Sequence, residues 1–138
     1  MRRRLLQEFP WAGDVLAIIF GELNGQAALG VRVLGMPPTL LVGLPGCGKS
    51  RLARRIADEL GVPRLDVPLG GTSDSKVLGG TSRGWASGKP SDLATLMATR
   101  RSASAIVLLD ELDKAVDYQR EGSGLQSYLL ALLEPETA

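Results

Sequence analysis

Three short apolar runs alternating with amphipathic stretches predict a doubly wound α/β domain, a three-layer αβα sandwich around a parallel sheet. A glycine-rich turn between the first run and the stretch after it supports that reading, because such folds join strand to helix by short turns of this kind. At 138 residues with 44% apolar and 22% charged side chains, the chain has the size of one globular domain.

Val15, Leu16, Ile18, Ile19 and Leu23 recur at helical spacing within residues 11–29, and Asn24-Gly25 is a point where that helix weakens or ends. Pro37-Pro38 forbid a helix and lead into a β-type run, Thr39–Val42. Beyond the glycine-rich turn, Leu52, Ile56 and Leu60 return every fourth residue, with Gly61 as the stop and Pro63 just past it. Arg64–Val67 reads as the second strand, and residues 69–90 form a long Gly/Ser/Thr segment of the kind that more often serves a function than not. Ser91 is placed to cap a helix with Asp92 in its first turn, Leu93, Leu96 and Met97 on one face, and Arg100 and Arg101 in its last turn. The uninterrupted apolar run Ala105–Leu109 predicts a third strand buried on both faces. Ser123 and Gln126 fit a capping box ahead of Leu125, Leu129, Leu130, Leu132 and Leu133.

Composition removes several function classes. Sixteen basic and fifteen acidic residues leave a net charge of +1, so no broad polyanion-binding surface and no nucleic-acid partner are expected. The charge is nonetheless uneven, with 14 basic against 8 acidic residues up to position 109 and 2 against 7 after it. The absence of histidine excludes His-based catalysis and His-ligated metals. One cysteine, Cys47, forms no internal disulfide and suits a reducing, cytoplasmic setting. No apolar run approaches the length of a membrane span, the start of the chain has no secretory pattern, and Arg2, Arg3 and Arg4 read as a solvated terminus.

The strongest chemical signal is Gly43-Leu44-Pro45-Gly46-Cys47-Gly48-Lys49-Ser50, a complete G-x-x-x-x-G-K-S phosphate loop between an expected strand and an expected helix. Its glycines let successive backbone N–H groups curve around an anion, and the helix beginning near Gly48 adds its positive end. The expected nucleotide-binding set is Gly43, Pro45, Gly46, Cys47, Gly48, Lys49, Ser50 and Arg51, with Lys49 on the β- and γ-phosphates of ATP and the Ser50 hydroxyl on Mg²⁺. The third strand ends in Asp110-Glu111. Ligands of parallel sheets sit at the carboxyl ends of the strands, so Asp110 is expected to face the loop's crevice and hold the Mg²⁺ shell, with Glu111 polarising the attacking water. Glu111 and Lys49 are the catalytic candidates.

These residues resemble those of an AAA+ ATPase, most of all the ATPase domain of Lon-type proteases. The resemblance rests on Pro45 and Cys47 within the loop, on Asp110-Glu111-Leu112-Asp113-Lys114, and on the segment between the two motifs. Lon-type modules carry L-G-G followed by I-R-G-H-R-R-T-Y-I-G-A-L-P-G; here Leu69-Gly70-Gly71 is present and Gly80, Arg83 and Pro90 fall in register. Trp85 takes the place of the aromatic pore-loop residue, followed by Ala86-Ser87 where the family has Ile-Gly. Leu129, Leu130, Leu133, Pro135 and Glu136 are similar to the family's A-L-L-E-V-L-D-P-E.

The resemblance covers residues 37–138 and leaves 1–36 as an N-terminal helical linker. It implies ATP hydrolysis with Mg²⁺ in a homo-oligomeric ring, a hexamer, that unfolds and translocates a polypeptide gripped by Trp85, with no membrane involved. It also implies a sensor strand, an arginine finger, a final strand and a helical lid beyond this chain. The expected AAA+ core is therefore incomplete, a fragment whose own turnover is low. Two other readings stay open: a non-hydrolysing nucleotide-binding or adaptor fragment, and a P-loop kinase, against which the water-activating position of Glu111 argues. Cys47 is a small filler or an oxidation-sensitive thiol; Arg100 and Arg101 complement a helix end or reach across a subunit interface. Trp11 packs in the core or meets an adenine, and Trp85 folds back on the core or grips substrate.

Overall fold

Helix α3, Lys49–Leu60, follows from its sequence almost residue by residue. Leu52, Ile56 and Ala57 are buried on one face, charged residues occupy the other, and Gly61 ends the helix in the left-handed conformation at φ 67°. The computed structural model describes residues 1–33, 35–69, 89–115 and 133. They divide into two compact units, Met1–Arg64 with Ser102–Ile106 and Leu65–Arg101 with Val107–Ala138.

The first unit is helical. Helix α1 spans Arg2–Glu8, a 3₁₀ turn Pro10–Ala12 follows with Pro at its start, and α2 runs Gly13–Ala28. Arg2, Arg3 and Arg4 are exposed as expected, although on a helix rather than a loose terminus. Leu16, Ile19, Phe20 and Leu23 form the buried stripe of α2, joined by Leu5, Phe9, Ala12, Leu52 and Ile56 in one core. Ile18 falls outside that stripe at 73% exposure. Asn24-Gly25 does not end α2, which continues to Ala28. Beyond it the Gln26 side chain grips the Gly35 backbone from both sides, its Nε2 donating to Gly35 O while its Oε1 accepts from Gly35 N at 3.1 Å.

Shortening a side chain in this core measures how tightly it closes. Ile56→Val, which removes one buried methylene from α3, is expected to cost about 0.5–1.5 kcal/mol of unfolding free energy in urea titration.

The strand expected at Thr39–Val42 is not formed, and Leu40 and Val42 are 70% and 85% exposed. A strand exists only through hydrogen bonds to a neighbour, and the described sheet has two members, β1 at Arg64–Pro68 and β2 at Ile106–Asp110. They run parallel, with Ile106 N donating to Pro63 O at one end and Leu69 N to Asp110 O at the other, both at 2.9 Å. β2 is half-buried along its length instead of buried on both faces, because faces are covered by side chains packed on them and the described packing on Val107 and Leu109 is a small cluster built on Val67 and Leu69. Val67 and Leu69 form the small apolar core of the second unit with Leu65, Val107 and Leu109 against them.

Helix α4, Asp92–Arg100, starts as its sequence requires: Ser91 Oγ accepts from Ala94 N at 3.2 Å. Leu93, Leu96 and Met97 share its half-buried face. Arg100 lies in the last turn and Arg101 takes the left-handed cap at φ 49°. A short helix α5, Leu112–Ala115, follows β2. The expectations for Gly70, Gly71, Gly80, Arg83, Trp85 and the capping box at Ser123 and Gln126 lie outside the described residues.

Candidate functional site

In the first unit the phosphate loop is a tight turn that closes on its own lysine. Gly46 and Gly48 take φ of 76° and 94°, a conformation costly for any residue with a Cβ, and Cys47 N donates to Leu44 O at 3.3 Å. A Cβ on Gly43 would stand 3.3 Å from Cys47 Sγ, so a larger residue there pushes the thiol away. Lys49 Nζ donates to Gly43 O and Leu44 O, both at 2.9 Å, and lies 3.9 Å from Cys47 Sγ. An ammonium has three donors. Two are committed to the loop's carbonyls and the third meets only a weak thiol acceptor.

Gly48 is the N-cap of α3 and no side chain caps that end. The first N–H groups of a helix have no partner within it, and together with the dipole they make a ready anion site. The loop thus offers a helix N-terminus, a fixed positive charge and glycine clearance in one place, which is what a polyphosphate needs. Ser50 lies in the first turn of the same helix. Pro45 and Cys47 are exposed on the loop.

The neighbours of the loop come from the N-terminal helices. A Cβ on Gly48 would lie 3.9 Å from both Phe9 Cε1 and Trp11 Cζ2. Phe9 is buried, and Trp11 stands edge-on to it, ring centroids 6.1 Å apart at 87°. Trp11 is 52% exposed, which corrects the expectation that it packs in the core: the 3₁₀ turn puts Ala12 inside and leaves the indole at the loop's edge.

Arg51 does not extend freely from the loop. Its Nη2 donates to Glu8 Oε1 at 2.7 Å and its guanidinium lies over the Phe9 ring, 5.7 Å from the centroid. Arg55 Nε donates to Glu8 Oε2 at 3.0 Å and also holds Glu59 at 3.2 Å and Asp58 at 3.7 Å. The Arg55 hydrogen bond is the main reason the Glu8 carboxyl titrates below its ordinary 4.5; partial desolvation opposes it and Arg51 adds to it. Because the folded value is lowered, this tie contributes fully above pH 4.5 and is lost as pH falls through the lowered value. Acid titration followed by circular dichroism should therefore show a less steep loss of stability in Glu8→Gln than in wild type below pH 4.5. Glu8, Phe9 and Arg55 were not singled out by sequence, and no local signal marks them, since Glu8 and Arg51 are 43 positions apart.

In the second unit β2 delivers Asp110 at its carboxyl end, as its apolar run predicts, and Glu111 follows exposed. Glu111 has φ 60°, a left-handed backbone that costs a non-glycine residue on the order of 1–2 kcal/mol. Asp110 Oδ1 accepts from Glu111 N at 3.1 Å and helps hold that conformation. Asp110 and Glu111 each make further interactions. Among the described residues no three Cys, Asp or Glu gather as a ready-made cation cage. No described helix is long and apolar enough to cross a membrane.

Residues 39–138 match the AAA family, the ATPase family associated with various cellular activities. The chain belongs to the AAA ATPase family. Its curated relatives include the peroxisomal Lon protease homolog 2 of Pichia angusta, 36% identical over 103 residues, and the Lon protease of Bacillus thuringiensis, 37% identical over 101. The Lon protease of Brucella suis is 34% identical over 125 residues, 90% of this chain. In the other two the alignment covers 75% and 72% of this chain. The matched stretch amounts to 11%, 12% and 15% of the Pichia, Bacillus and Brucella proteins, so this AAA chain corresponds to a small part of each. Similarity to Lon proteases and an α/β P-loop architecture are what the AAA family and these relatives share with the sequence reading.

Proposed function

We propose that this AAA chain binds ATP with Mg²⁺ and hydrolyses it as part of a Lon-type module that unfolds and translocates polypeptides. The observation that carries the proposal is Lys49, held by two loop carbonyls at 2.9 Å inside a glycine turn at an uncapped helix end. Gly43, Pro45, Gly46, Cys47 and Gly48 form the cradle, whose N–H groups hold the phosphates, and Lys49 carries the compensating charge. Ser50 and, in the second unit, Asp110 are the residues that would hold Mg²⁺, which would supply charge neutralisation to the phosphates. Glu111, exposed just past the end of β2, accepts the proton of the attacking water and orients it. Trp11 offers an exposed ring at the loop's edge for the base.

In this reading residues 37–138 belong to a three-layer AAA core and residues 1–36 form a helical segment packed on α3. The active form is a cytoplasmic homo-oligomeric ring, a hexamer, and Trp85 grips the polypeptide substrate through bulk rather than polarity. Calorimetric titration of the purified chain with Mg-ATP and Mg-ADP tests the nucleotide reading, with phosphate release read in parallel. Saturable binding of both is expected; heats indistinguishable from dilution would overturn it.

A further inference from the structure

The phosphate loop has a competitor beside it. Arg51 lies two residues past Lys49, about 3 Å of axial rise into α3, and so belongs to the first turn, whose N-terminus faces the anion cradle. Its guanidinium is nevertheless drawn to the Glu8 carboxylate at 2.7 Å and rests on the Phe9 ring. Phe9 and Trp11 border Gly48, so Glu8 belongs to the same short segment that flanks the loop. Two anion positions, the Glu8 carboxylate and the phosphate cradle, therefore lie within one helical turn of a single arginine.

We propose that Arg51 serves both anions in turn, so that Glu8 competes with nucleotide phosphate for it and lowers nucleotide affinity. The inference rests on the nucleotide reading of the loop and adds the residue that restrains it. The exchange is inexpensive. Arg51 has 71% of its side chain exposed, and a solvated pair of that kind contributes little net stability. A phosphate group offers the guanidinium two parallel charge-assisted hydrogen bonds and more negative charge than one carboxylate. Glu8 is not stranded when Arg51 leaves, since Arg55 still donates to its other oxygen at 3.0 Å. Helix α1 accordingly stays on α3 while Arg51 changes partner, and the Phe9 ring beneath the guanidinium also borders Gly48 of the cradle.

The test is a four-protein cycle titrated with Mg-ADP by calorimetry: wild type, Glu8→Gln, Arg51→Gln and the double variant. Glutamine at position 8 keeps the size and loses the charge, and Arg55 retains Glu59 and Asp58, so α3 keeps its other ties. Glu8→Gln is expected to tighten Mg-ADP binding about two- to fivefold, the release of one exposed ion pair. Arg51→Gln should weaken binding, and adding Glu8→Gln to it should then change nothing. An unchanged or weaker affinity in Glu8→Gln overturns the competition. The same gain with and without Arg51 also overturns it, because that pattern is through-space repulsion between Glu8 and the ligand. Absence of Mg-ADP binding by the wild type and all three variants refutes the nucleotide reading itself, whereas binding without the cycle's non-additivity refutes only the role of Glu8.

Discussion

In a complete ring capable of turnover, Glu111→Gln is expected to leave Mg-ATP affinity within twofold of wild type while lowering turnover by about 10²–10⁴-fold, the usual loss when a general base is removed. The amide has the size and shape of the carboxylate but does not accept the proton of an attacking water. The substitution also keeps the local backbone. Glu111 is exposed, and Gln pays the same left-handed backbone cost at φ 60° that Glu pays. The Asp110 Oδ1 bond is made to the main-chain N–H of residue 111, so it survives the change. Stability should therefore hold while the rate falls, a separation that a folding defect does not produce. Phosphate release at saturating Mg-ATP, beside a calorimetric affinity and a urea melt of each protein, distinguishes the cases. Turnover at the wild-type rate removes Glu111 from the chemistry; a parallel fall in stability makes it a structural residue.

The parts of this molecule that were legible in its sequence are those whose causes are local. The Leu52, Ile56 and Leu60 spacing, the Gly61 stop and the Ser91 cap each involve residues within a turn or two of one another, and α3 and α4 formed with those boundaries. The phosphate loop is local in the same sense, because its glycine φ values and the Lys49 bonds to Gly43 and Leu44 span only a few residues. Thr39–Val42 failed for the opposite reason. Its composition suits a strand, but the partner that makes a strand lies elsewhere in the chain, and the described sheet pairs β1 with β2.

Long-range ties were hidden altogether. Nothing in Glu8-Phe9-Pro10-Trp11 announces that it borders Gly48 and holds Arg51, since that arrangement arises only when α1 and α3 share a core. Trp11 shows how burial depends on such context. Its size argued for the interior, yet the 3₁₀ turn that follows buried Phe9 puts Ala12 in the core and leaves the indole at the surface.

Lys49→Ala is expected to weaken Mg-ADP binding by about 10- to 150-fold, the range for losing a hydrogen-bonded charge partner at about 1.5–3 kcal/mol. Two effects add in the same direction. The ammonium supplies the positive charge that phosphates meet in the cradle, and no other lysine lies in the loop. Lys49 also ties Gly43 O and Leu44 O together at 2.9 Å, which holds the turn ready before any ligand arrives. Without that bridge the loop must be ordered at the moment of binding, and the entropy of doing so is subtracted from affinity. Arginine separates the two effects, since it keeps the charge but replaces a compact three-donor head with a planar fork that does not fit between two carbonyls of one turn. Lys49→Arg should therefore recover only part of what Lys49→Ala loses. Global stability should change little in either variant, because the residue lies outside the buried core of the first unit. Calorimetry with Mg-ADP on wild type, Lys49→Ala and Lys49→Arg, each paired with a thermal melt, reads both. Equal affinity in wild type and Lys49→Ala would take the phosphates away from this loop, and full rescue by arginine would leave charge alone, without the preformed turn, as the source of binding.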